Sequence, residues 1–244
     1  MRRFFIAQPV EPRVSINGSD ARHIAKVLRL QPESEVDVVG NDGRAARMII
    51  TALTSQQIEL DFKQWLVEEK EPPVRVILAQ GLAKGDKMDY IVQKAVELGV
   101  SEIVPLALDR CVVRYEGKKQ QDRVARWQNI AVEAAKQCRR SAIPEVRDII
   151  ALRELLTELP PDTAAIMLYE AENKQGLKDM LRSCAAKEYL LLIGPEGGFT
   201  PREADLCREY GVSSATMGPR ILRTETAASA ALAVLMYEHG DLGG

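Results

Sequence analysis

The chain has 244 residues, of which 46% are hydrophobic and 28% are charged, with a formal net charge of −2. Its four cysteines lie far apart without zinc-ligand spacing, and its two histidines lie at opposite ends, which argues against metal sites, zinc hydrolases, Cys–His proteases and Ser–His–Asp hydrolases. No apolar run is long enough to span a bilayer and the N-terminus does not read as a signal peptide, so we expect a cytoplasmic protein without a membrane or metal partner.

The first 70 residues are dominated by short predicted strands, which indicate a small β-barrel. These strands cover residues 3–7, 36–39, 47–50 and 57–62, with a hairpin turn signal at 40–43. One helix, capped by Asp20, is expected to bury Ile24, Val27 and Leu28 on one face. The charged, proline-terminated segment 68–73 is the best boundary, so we predict one domain over 1–70 and another over 73–244.

From Val74 onward, strands and helices alternate, which predicts an α/β domain around a mainly parallel sheet. Strands are predicted at 74–79, 103–107, 163–169, 188–193 and 215–217. Helices are predicted at 88–98, between Asp86 as cap and Gly99 as stop, and at 124–138, 152–159 and 175–185. The unbroken apolar run at 189–193 is typical of a strand buried on both faces.

The first chemical motif follows that buried strand and reads Ile193-Gly194-Pro195-Glu196-Gly197-Gly198. Glycine lets a ligand approach the backbone closely, and ligands of parallel sheets bind at the carboxyl ends of the strands. Thr200, Pro201 and Glu203 then have the order of a capped helix start. Taken alone, the segment is equally compatible with a glycine-rich turn that only links a strand to a helix.

The second motif follows the next predicted strand and reads Met217-Gly218-Pro219-Arg220-Ile221-Leu222-Arg223-Thr224-Glu225. It leads into a helix of small residues at 227–235, which can pack closely against backbone or against a second subunit. The segment is also compatible with a buried C-terminal helix that carries two surface arginines. Two Gly-Pro turns at successive strand ends predict one shared pocket. The chain has no G-x-G-x-x-G after a strand, and Met88 stands where a phosphate loop needs Ser or Thr, so neither nucleotide-binding motif is expected.

These two motifs resemble the signatures of the RsmE family within the SPOUT methyltransferases. Further similarity lies at 23–29, 84–88, 93–100 and 133–138, so the resemblance covers essentially the whole chain. It implies a PUA-like β-barrel followed by a SPOUT α/β domain with a trefoil knot, a homodimer, and S-adenosylmethionine as cofactor. The implied reaction methylates N3 of a uridine in 16S ribosomal RNA of the small ribosomal subunit.

The resemblance also implies which residues bind the cofactor, and the chemistry of the uridine N3–H indicates which residues are candidates for the reaction. The cofactor is expected against Leu168, Tyr169, Ile193, Gly194, Pro195, Gly197, Gly198, Met217, Gly218, Ile221 and Leu222. Arg223 is expected to polarise the uracil or hold a phosphate, because a guanidinium offers a fixed fork of donors. Glu225 is the first candidate for the base that removes the N3 proton, and Glu196 is the second. Each carboxylate is also compatible with a helix-end charge or a salt bridge.

RNA binding is expected from clustered basic residues. They are Arg2, Arg3, Arg22, Lys26, Arg29, Lys84, Lys87 and Arg220. Each cluster alone is also compatible with solvated surface. Two other functions stay open at this point: an RNA-binding protein without catalysis, and a related SPOUT enzyme that acts on tRNA or on ribose. The two glycine-rich strand ends argue against the first, since simple RNA binding needs no second pocket.

Overall fold

The computed structural model describes residues 2–67 and 71–243, which form two compact units. The first comprises the described residues of Met1–Glu71 together with Ala135–Ala142, and the second comprises Pro72–Ala134 and the described residues of Ile143–Gly244. The domain boundaries predicted at 1–70 and 73–244 stay a prediction, because residues 68–70 of the expected linker fall outside the described ranges.

The first unit is built on a five-stranded sheet with one short helix. Its elements are β1 (Arg3–Phe5), β2 (Arg13–Asn17), α1 (Gly18–Arg22), β3 (Glu35–Val39), β4 (Ala45–Leu53) and β5 (Gln57–Leu66). The strand order is β1-β3-β4-β5-β2, with β1 parallel to β3 and every other pair antiparallel. The described residues give no pairing between β1 and β2, so the predicted barrel is an open, half-barrel sheet.

The core of this unit consists of side chains from alternate positions of the strands. The largest of them include Met48, Ile50, Ile58 and Leu60, all fully buried. The hairpin turn was predicted correctly: Gly43 has a φ of 77° and donates its N–H to the carbonyl oxygen of Gly40 at 3.0 Å. β2 was not predicted, although its pattern buries the alternate residues Val14 and Ile16.

The helical segment of the first unit departs from the prediction. A π-helical turn over His23–Val27 follows α1, and the N–H of Leu28 donates to the carbonyl oxygen of His23, five residues back. This wider turn rotates Val27 away from the buried Ile24, so Val27 is 67% exposed and its predicted burial is wrong. The predicted cap is also wrong, because α1 begins at Gly18 and the Asp20 carboxylate instead binds Nζ of Lys136 at 2.9 Å.

The second unit contains a seven-stranded sheet in which the neighbouring strands are parallel, as the alternation of strands and helices predicted. Its strands are β6 (Arg75–Gly81), β7 (Glu102–Ala107), β8 (Glu145–Val146), β9 (Ile150–Ala151), β10 (Ala164–Leu168), β11 (Glu188–Ile193) and β12 (Ser213–Ala215). The order is β12-β10-β11-β6-β7-β8, and β9 also pairs with β7. β11 is central and fully buried along Tyr189–Ile193.

Of the six helices described with these strands, five lie between strands and the last follows β12. They are α2 (Lys87–Glu97), α3 (Gly117–Cys138), α4 (Leu152–Thr157), α5 (Leu177–Ser183), α6 (Pro201–Glu209) and α7 (Thr224–His239). Gly99, with a φ of 89°, follows the end of α2 as predicted, whereas Asp86 occupies the N-cap position without a side-chain hydrogen bond. No helix in the described part of the chain is long and apolar enough to cross a membrane.

The register of the sheet brings four strand ends together. Leu168 at the end of β10 pairs with Ile193 of β11 on one side and with Ala215 of β12 on the other. Ile193 in turn pairs with Gln80 of β6. The segments that follow β10, β11 and β12 therefore leave the sheet side by side. β12 ends at Ala215 and not at the predicted Met217, so the connection to α7 consists of residues 216–223.

Candidate functional site

A cavity of about 700 Å³ lies at these carboxyl strand ends, within the size range of small-molecule sites. Ten of the eleven residues predicted to hold a cofactor line it: Leu168, Tyr169, Ile193, Gly194, Pro195, Gly198, Met217, Gly218, Ile221 and Leu222. The two Gly-Pro segments thus share one pocket, because their strands pair with the same neighbour. Ile221 is 86% exposed at the cavity rim.

Gly197 is the predicted cofactor residue that is not among the lining residues. A side chain at this position would point to the loop after β7, since a Cβ atom there would lie 2.9 Å from Cβ of Arg110. Nη1 of Arg110 donates to the carbonyl oxygens of Gly197 at 2.9 Å and Phe199 at 3.2 Å. Arg110 therefore holds the glycine-rich segment, which we call the 194–199 loop, by its backbone.

The end of this loop is fixed by the helix start that the sequence predicted. Thr200 and Glu203 form a reciprocal capping box, with the Glu203 carboxylate accepting the Thr200 N–H at 2.7 Å. The other carboxylate oxygen of Glu203 accepts the N–H of Asp109 at 2.9 Å. Glu203 is buried, and its two oxygens join the loop after β7 to the first turn of α6.

Gly198 is the position in the loop where glycine is required. Its φ of 67° is a backbone conformation that side chains rarely adopt, and a Cβ atom there would lie 3.2 Å from Oε1 of Glu170. Glu170 follows β10 and lines the cavity together with Glu172. Neither carboxylate was singled out in the sequence, because nothing local relates them to the loop.

A buried polar group ties α7 to the strand ends. Oγ1 of Thr224 donates to the carbonyl oxygen of Gly194 at 2.7 Å and accepts a hydrogen bond from Nε2 of Gln80 at 2.9 Å. Gln80 is fully buried and also donates to the carbonyl oxygen of Gly81 at 2.8 Å. α7 thus begins at Thr224, three residues before the predicted start, at the carboxyl ends of β6 and β11.

The two candidate base residues share one lysine. Nζ of Lys87, the first residue of α2, lies 3.1 Å from Oε1 of Glu196 and 3.5 Å from Oε2 of Glu225. Lys87 and Glu196 line the cavity, whereas Glu225 is not among the lining residues. Lys87, predicted to contact RNA, is therefore engaged by two carboxylates inside the same unit.

The environment of Glu196 favours its ionised form. Partial burial alone would raise the pKa of this carboxyl, but hydrogen bonds from the backbone amides of Glu196 and Lys84, together with the Lys87 ammonium, hold the pKa below its ordinary value. The Lys84 amide lies 3.0 Å from Oε1. The hydrogen bond to Glu196 in turn raises the pKa of Lys87, so both groups are charged at neutral pH.

Three predicted cationic side chains lie on the surface of this unit. Arg220 and Arg223 line the cavity and are exposed, and Lys84 is exposed beside Glu196. Within residues 71–243, no carboxylate is within ion-pair distance of Arg223, and its guanidinium can reach a bound substrate. Arg223 holds the N-cap position of α7 with an extended backbone.

Of the five basic residues of the first unit that were predicted to bind RNA, four are exposed and one is buried. Arg2, Arg22, Lys26 and Arg29 are exposed. Arg3 departs from the prediction because it is only 3% exposed, and its Nη1 donates to the carbonyl oxygens of Arg139 at 2.5 Å and Arg140 at 2.9 Å. A buried guanidinium held by two carbonyl groups is not available to an RNA phosphate in this structure.

The cavity suits a ligand with an apolar ring and a positive charge. Its apolar walls include Leu168, Ile193 and Leu222, which can enclose an adenine ring. Its carboxylates, Glu170 and Glu172 among them, can attract a sulfonium or ammonium group. The residues present therefore fit S-adenosylmethionine. Across the described ranges, no group of three or more His, Cys, Asp or Glu side chains is arranged to hold a metal ion.

Comparison with known families agrees with this geometry. Residues 70–236 match the model described as an RNA methyltransferase domain. Residues 16–63 match the model described as an RNA methyltransferase PUA domain. The two matches cover the α/β unit with its cavity and most of the five-stranded sheet.

Relatives with similar sequences and structures cover nearly the whole chain. A protein of Bacillus subtilis named ribosomal RNA small subunit methyltransferase E is 33% identical over 98% of this chain and 97% of its own length. A crystal structure of the Neisseria gonorrhoeae protein of that name, bound to S-adenosylmethionine, is 32% identical with a TM-score of 0.90 over 99% of both chains. A Legionella pneumophila methyltransferase in complex with the same cofactor has a TM-score of 0.88 at 32% identity, over 99% of this chain and 100% of its own.

Proposed function

The chain belongs to the ribosomal RNA small subunit methyltransferase E family, and from that premise we propose how its residues perform the reaction. The protein is an S-adenosylmethionine-dependent methyltransferase that acts on RNA of the small ribosomal subunit. We propose that the acceptor is N3 of a uridine in 16S ribosomal RNA. The observation that carries the proposal is the single cavity formed by the two Gly-Pro segments, with Arg223 at its wall.

We propose that the ten lining residues named above hold the cofactor. Gly197 does not line the cavity, and we propose that it contributes through its backbone carbonyl, which Arg110 holds. When bound, the cofactor supplies an electrophilic methyl group on a sulfonium. Leu168, Ile193 and Leu222 exclude water from the adenine, while backbone groups of the 194–199 loop can bind its polar edge. Glu170 stands beside Gly198, where its negative charge favours a cationic ligand.

The acceptor nitrogen requires activation, because a uridine N3–H is a weak acid. We propose that Arg223 binds the uracil oxygens and stabilises the negative charge that develops as the proton leaves. Its exposure at the cavity wall and its lack of a carboxylate partner in residues 71–243 support this role. A guanidinium is always charged, so this contribution is independent of pH near neutrality.

For the proton acceptor we propose Glu196 in preference to Glu225. Both carboxylates lie near Lys87, but Glu196 lines the cavity and is ionised at neutral pH, whereas Glu225 is not among the lining residues. A carboxylate with a lowered pKa is a weak base, so the reaction also needs the stabilisation from Arg223. Glu196→Gln should then reduce kcat more than Glu225→Gln, with cofactor affinity retained in both variants.

We propose that the first unit binds RNA backbone through Arg2, Arg22, Lys26 and Arg29, and that Lys84 and Arg220 contact RNA near the cavity. The match of residues 16–63 to an RNA methyltransferase PUA domain supports this division of tasks. The substrate implies a cytoplasmic location, since ribosomal subunits are assembled there.

We propose that the protein is a homodimer. α2 and α7 pack on each other, and both present exposed apolar side chains, namely Tyr90, Val234 and Tyr237. Two of these, Val234 and Tyr237, are neighbours on the surface of α7 because they are three residues apart. Sedimentation at micromolar concentration should give about twice the chain mass of 27.1 kDa, and Tyr237→Lys should yield monomers.

We propose that the C-terminal segment forms a trefoil knot. After β12 at one edge of the sheet, the chain returns past β10 to Thr224, which binds Gly194 and Gln80 at the ends of two more central strands. Such a return is a requirement of a knotted path. Pulling the unfolded chain from both termini should give a contour length shorter than the fully extended length of its residues, about 3.3–3.6 Å each, because a tightened knot retains part of the chain. A contour length equal to the fully extended length would exclude the knot.

Nucleoside analysis after methylation in vitro tests the proposed reaction. Labelled S-adenosylmethionine is supplied with assembled small subunits, free 16S ribosomal RNA or tRNA, and the RNA is digested to nucleosides. We expect N3-methyluridine from the ribosomal substrates alone. A ribose-methylated product, or transfer to tRNA only, would mean that the protein is a different methyltransferase of the same fold. Labelled product from none of the three substrates would overturn the catalytic role.

A further inference from the structure

An exposed tryptophan in the first unit carries a stacked arginine. Trp65 lies near the end of β5 and is 41% exposed. The guanidinium of Arg44 lies over its ring, 3.8 Å from the centroid, and the ring of Phe62 packs against it with centroids 5.1 Å apart. Arg44 lies between the hairpin turn and β4, and Trp65 lies on β5. The pairing of β4 with β5 therefore brings the two side chains together. The two planar groups form a rigid platform at the surface.

The guanidinium of Arg44 makes no hydrogen bond to any of the residues that the structure describes. Nε of Arg47, three residues further along the chain, lies 3.1 Å from the Asp37 carboxylate. By contrast, no carboxylate or carbonyl oxygen in the described residues accepts a hydrogen bond from the guanidinium of Arg44. A guanidinium that stacks on an aromatic ring keeps its in-plane donors free, and these donors fit a phosphate or the edge of a base.

A small cavity adjoins the platform. It has a volume of about 240 Å³. Besides Arg44 and Trp65, it is lined by Gly43, Ala45, Leu66 and Ser141. Gly43 has a φ of 77° and no side chain, which leaves the cavity open beside the arginine. The space suits one flat heterocycle with a charged group at its edge.

We propose that Arg44 and Trp65 form a binding site for one nucleotide of single-stranded RNA. The base stacks on the platform, and the free donors of Arg44 bind the adjacent phosphate. Stacking on aromatic and guanidinium planes is the usual way in which proteins hold unpaired bases, whereas exposed lysines contribute mainly charge. The site shares no residue with the methyl-transfer cavity. It rests on the proposed function only in that ribosomal RNA is the natural ligand.

Tryptophan fluorescence tests the stacking directly. The chain has two tryptophans, and Trp127 is only 1% exposed, so a quencher in solution reports on Trp65. The probes are a ten-nucleotide oligoadenylate and an abasic oligomer with the same number of phosphates. We expect the first to quench the emission and the second to leave it unchanged. Equal quenching by the two probes, or none by either, would overturn the proposal.

Two substitutions test the two members of the platform. Trp65→Ala and Arg44→Ala should each weaken oligoadenylate binding by about tenfold, while S-adenosylmethionine affinity stays at the wild-type value. Arg44→Ala is expected to disturb the fold less than Trp65→Ala, because the Arg44 side chain is exposed. Arg13→Ala is its matched control, because Arg13 is also exposed but pairs with Asp61 at 2.9 Å. Arg13→Ala should bind the oligomer as the wild type does.

Other results would count against the site. Wild-type affinity in both variants would show that the platform does not bind RNA. A Trp65→Ala variant with altered sedimentation and unchanged RNA affinity would make the platform a protein contact. A chain that binds oligoadenylate through Trp65 yet methylates no ribosomal RNA would leave this site standing and overturn the proposed function.

Discussion

The hydroxyl of Thr224 donates to the carbonyl oxygen of Gly194 at 2.7 Å, which joins the first residue of α7 to the residue that follows β11. The same hydroxyl accepts a hydrogen bond from Gln80 at 2.9 Å. Thr224 is 5% exposed, so these contacts replace water that cannot reach them. One small side chain therefore holds both Gly-Pro segments at a fixed separation across the cavity.

Replacing Thr224 with valine should weaken both stability and cofactor binding. The substitution keeps the shape but removes both hydrogen bonds of the hydroxyl, so the Gly194 carbonyl retains only the longer contact with Nε2 of Gln80 at 3.4 Å. Weakening buried hydrogen bonds in this way costs about 1–3 kcal/mol. Urea unfolding measures the loss of stability, and calorimetry measures cofactor affinity. Thr226→Val, on the exposed face of the same helix, is the control. Equal stability of the two variants would contradict this account of Thr224.

Gly198→Ala should lower cofactor affinity at least tenfold, about 1.4 kcal/mol. The added methyl group would strain the backbone at a φ of 67° and meet the Glu170 carboxylate in the cavity. Gly211→Ala is a matched control, because Gly211 has a φ of 79° and open space around it. Calorimetry should find normal affinity in the control. Normal affinity in Gly198→Ala as well would remove the 194–199 loop from the cofactor site.

Arg223→Ala should reduce methylation by a factor of about 10² to 10³ while cofactor binding stays intact. This size follows from the loss of one charge-stabilising donor in a transition state. Turnover on small ribosomal subunits and calorimetry with S-adenosylmethionine provide the two readouts. Arg208→Ala serves as control, because Arg208 pairs with Asp205 on α6 and is not among the cavity-lining residues. Near-normal turnover of Arg223→Ala would exclude it from the reaction.

The effect of Lys87 on Glu196 predicts a pH-dependent loss of stability. Folding lowers the pKa of Glu196 below its ordinary value of 4.5. A carboxyl of this kind stabilises the folded chain above its ordinary pKa, and the contribution disappears as the pH falls through the lower folded value. Lys87→Met removes one cause of the lowered pKa, so it should destabilise the protein at about pH 6 and much less at about pH 3.

Lys94→Met is the control for this experiment. Lys94 lies on the same helix, is 32% exposed compared with 33% for Lys87, and pairs with Glu97. Removing the Lys94 ammonium leaves the contacts of Glu196 unchanged. The plot of melting temperature against pH, from acid to neutral pH, should therefore run parallel to that of the wild type. Parallel curves for both lysine variants would mean that Lys87 does not set the pKa of Glu196.

Substituting Arg22, Lys26 and Arg29 by glutamine should weaken RNA binding and reduce its dependence on salt. Each lost phosphate contact on single-stranded RNA should reduce the slope of log affinity against log salt by about 0.7. Arg13 and Lys63 are exposed cations of the same unit, paired with Asp61 and Glu35, and their double glutamine variant is the control. An unchanged salt slope in the triple variant would argue against backbone binding by this surface.

The sequence predicted those features that depend on local pattern. The parallel sheet, the capping box at Thr200 and the turn at Gly43 follow from residues within a few positions of each other. The shared cavity was predicted because parallel strands end at one edge of a sheet. These features needed only the order of residues along short segments and the general rules of sheet geometry.

Contacts between distant segments could not be predicted in the same way. Arg3 was expected at an RNA surface, but it is buried against carbonyl groups more than 130 residues away. Arg110 and Glu170 act on the 194–199 loop through folding, and no motif marks either of them. Val27 was assigned to a regular helix, whereas the additional residue in the π-helical turn places Val27 on the solvent side, away from the buried Ile24.

The contacts of Arg110 and Glu203 have a thermodynamic consequence for ligand binding. Arg110 holds the carbonyl groups of Gly197 and Phe199, and Glu203 holds the amide of Thr200. Flexible binding loops lose conformational entropy when a ligand orders them, and that loss opposes association. In this protein the backbone of the loop is already restrained by Arg110 and Glu203, neither of which is among the cavity-lining residues. Cofactor association should therefore be fast, with a rate set by diffusion into the cavity and not by rearrangement of the loop.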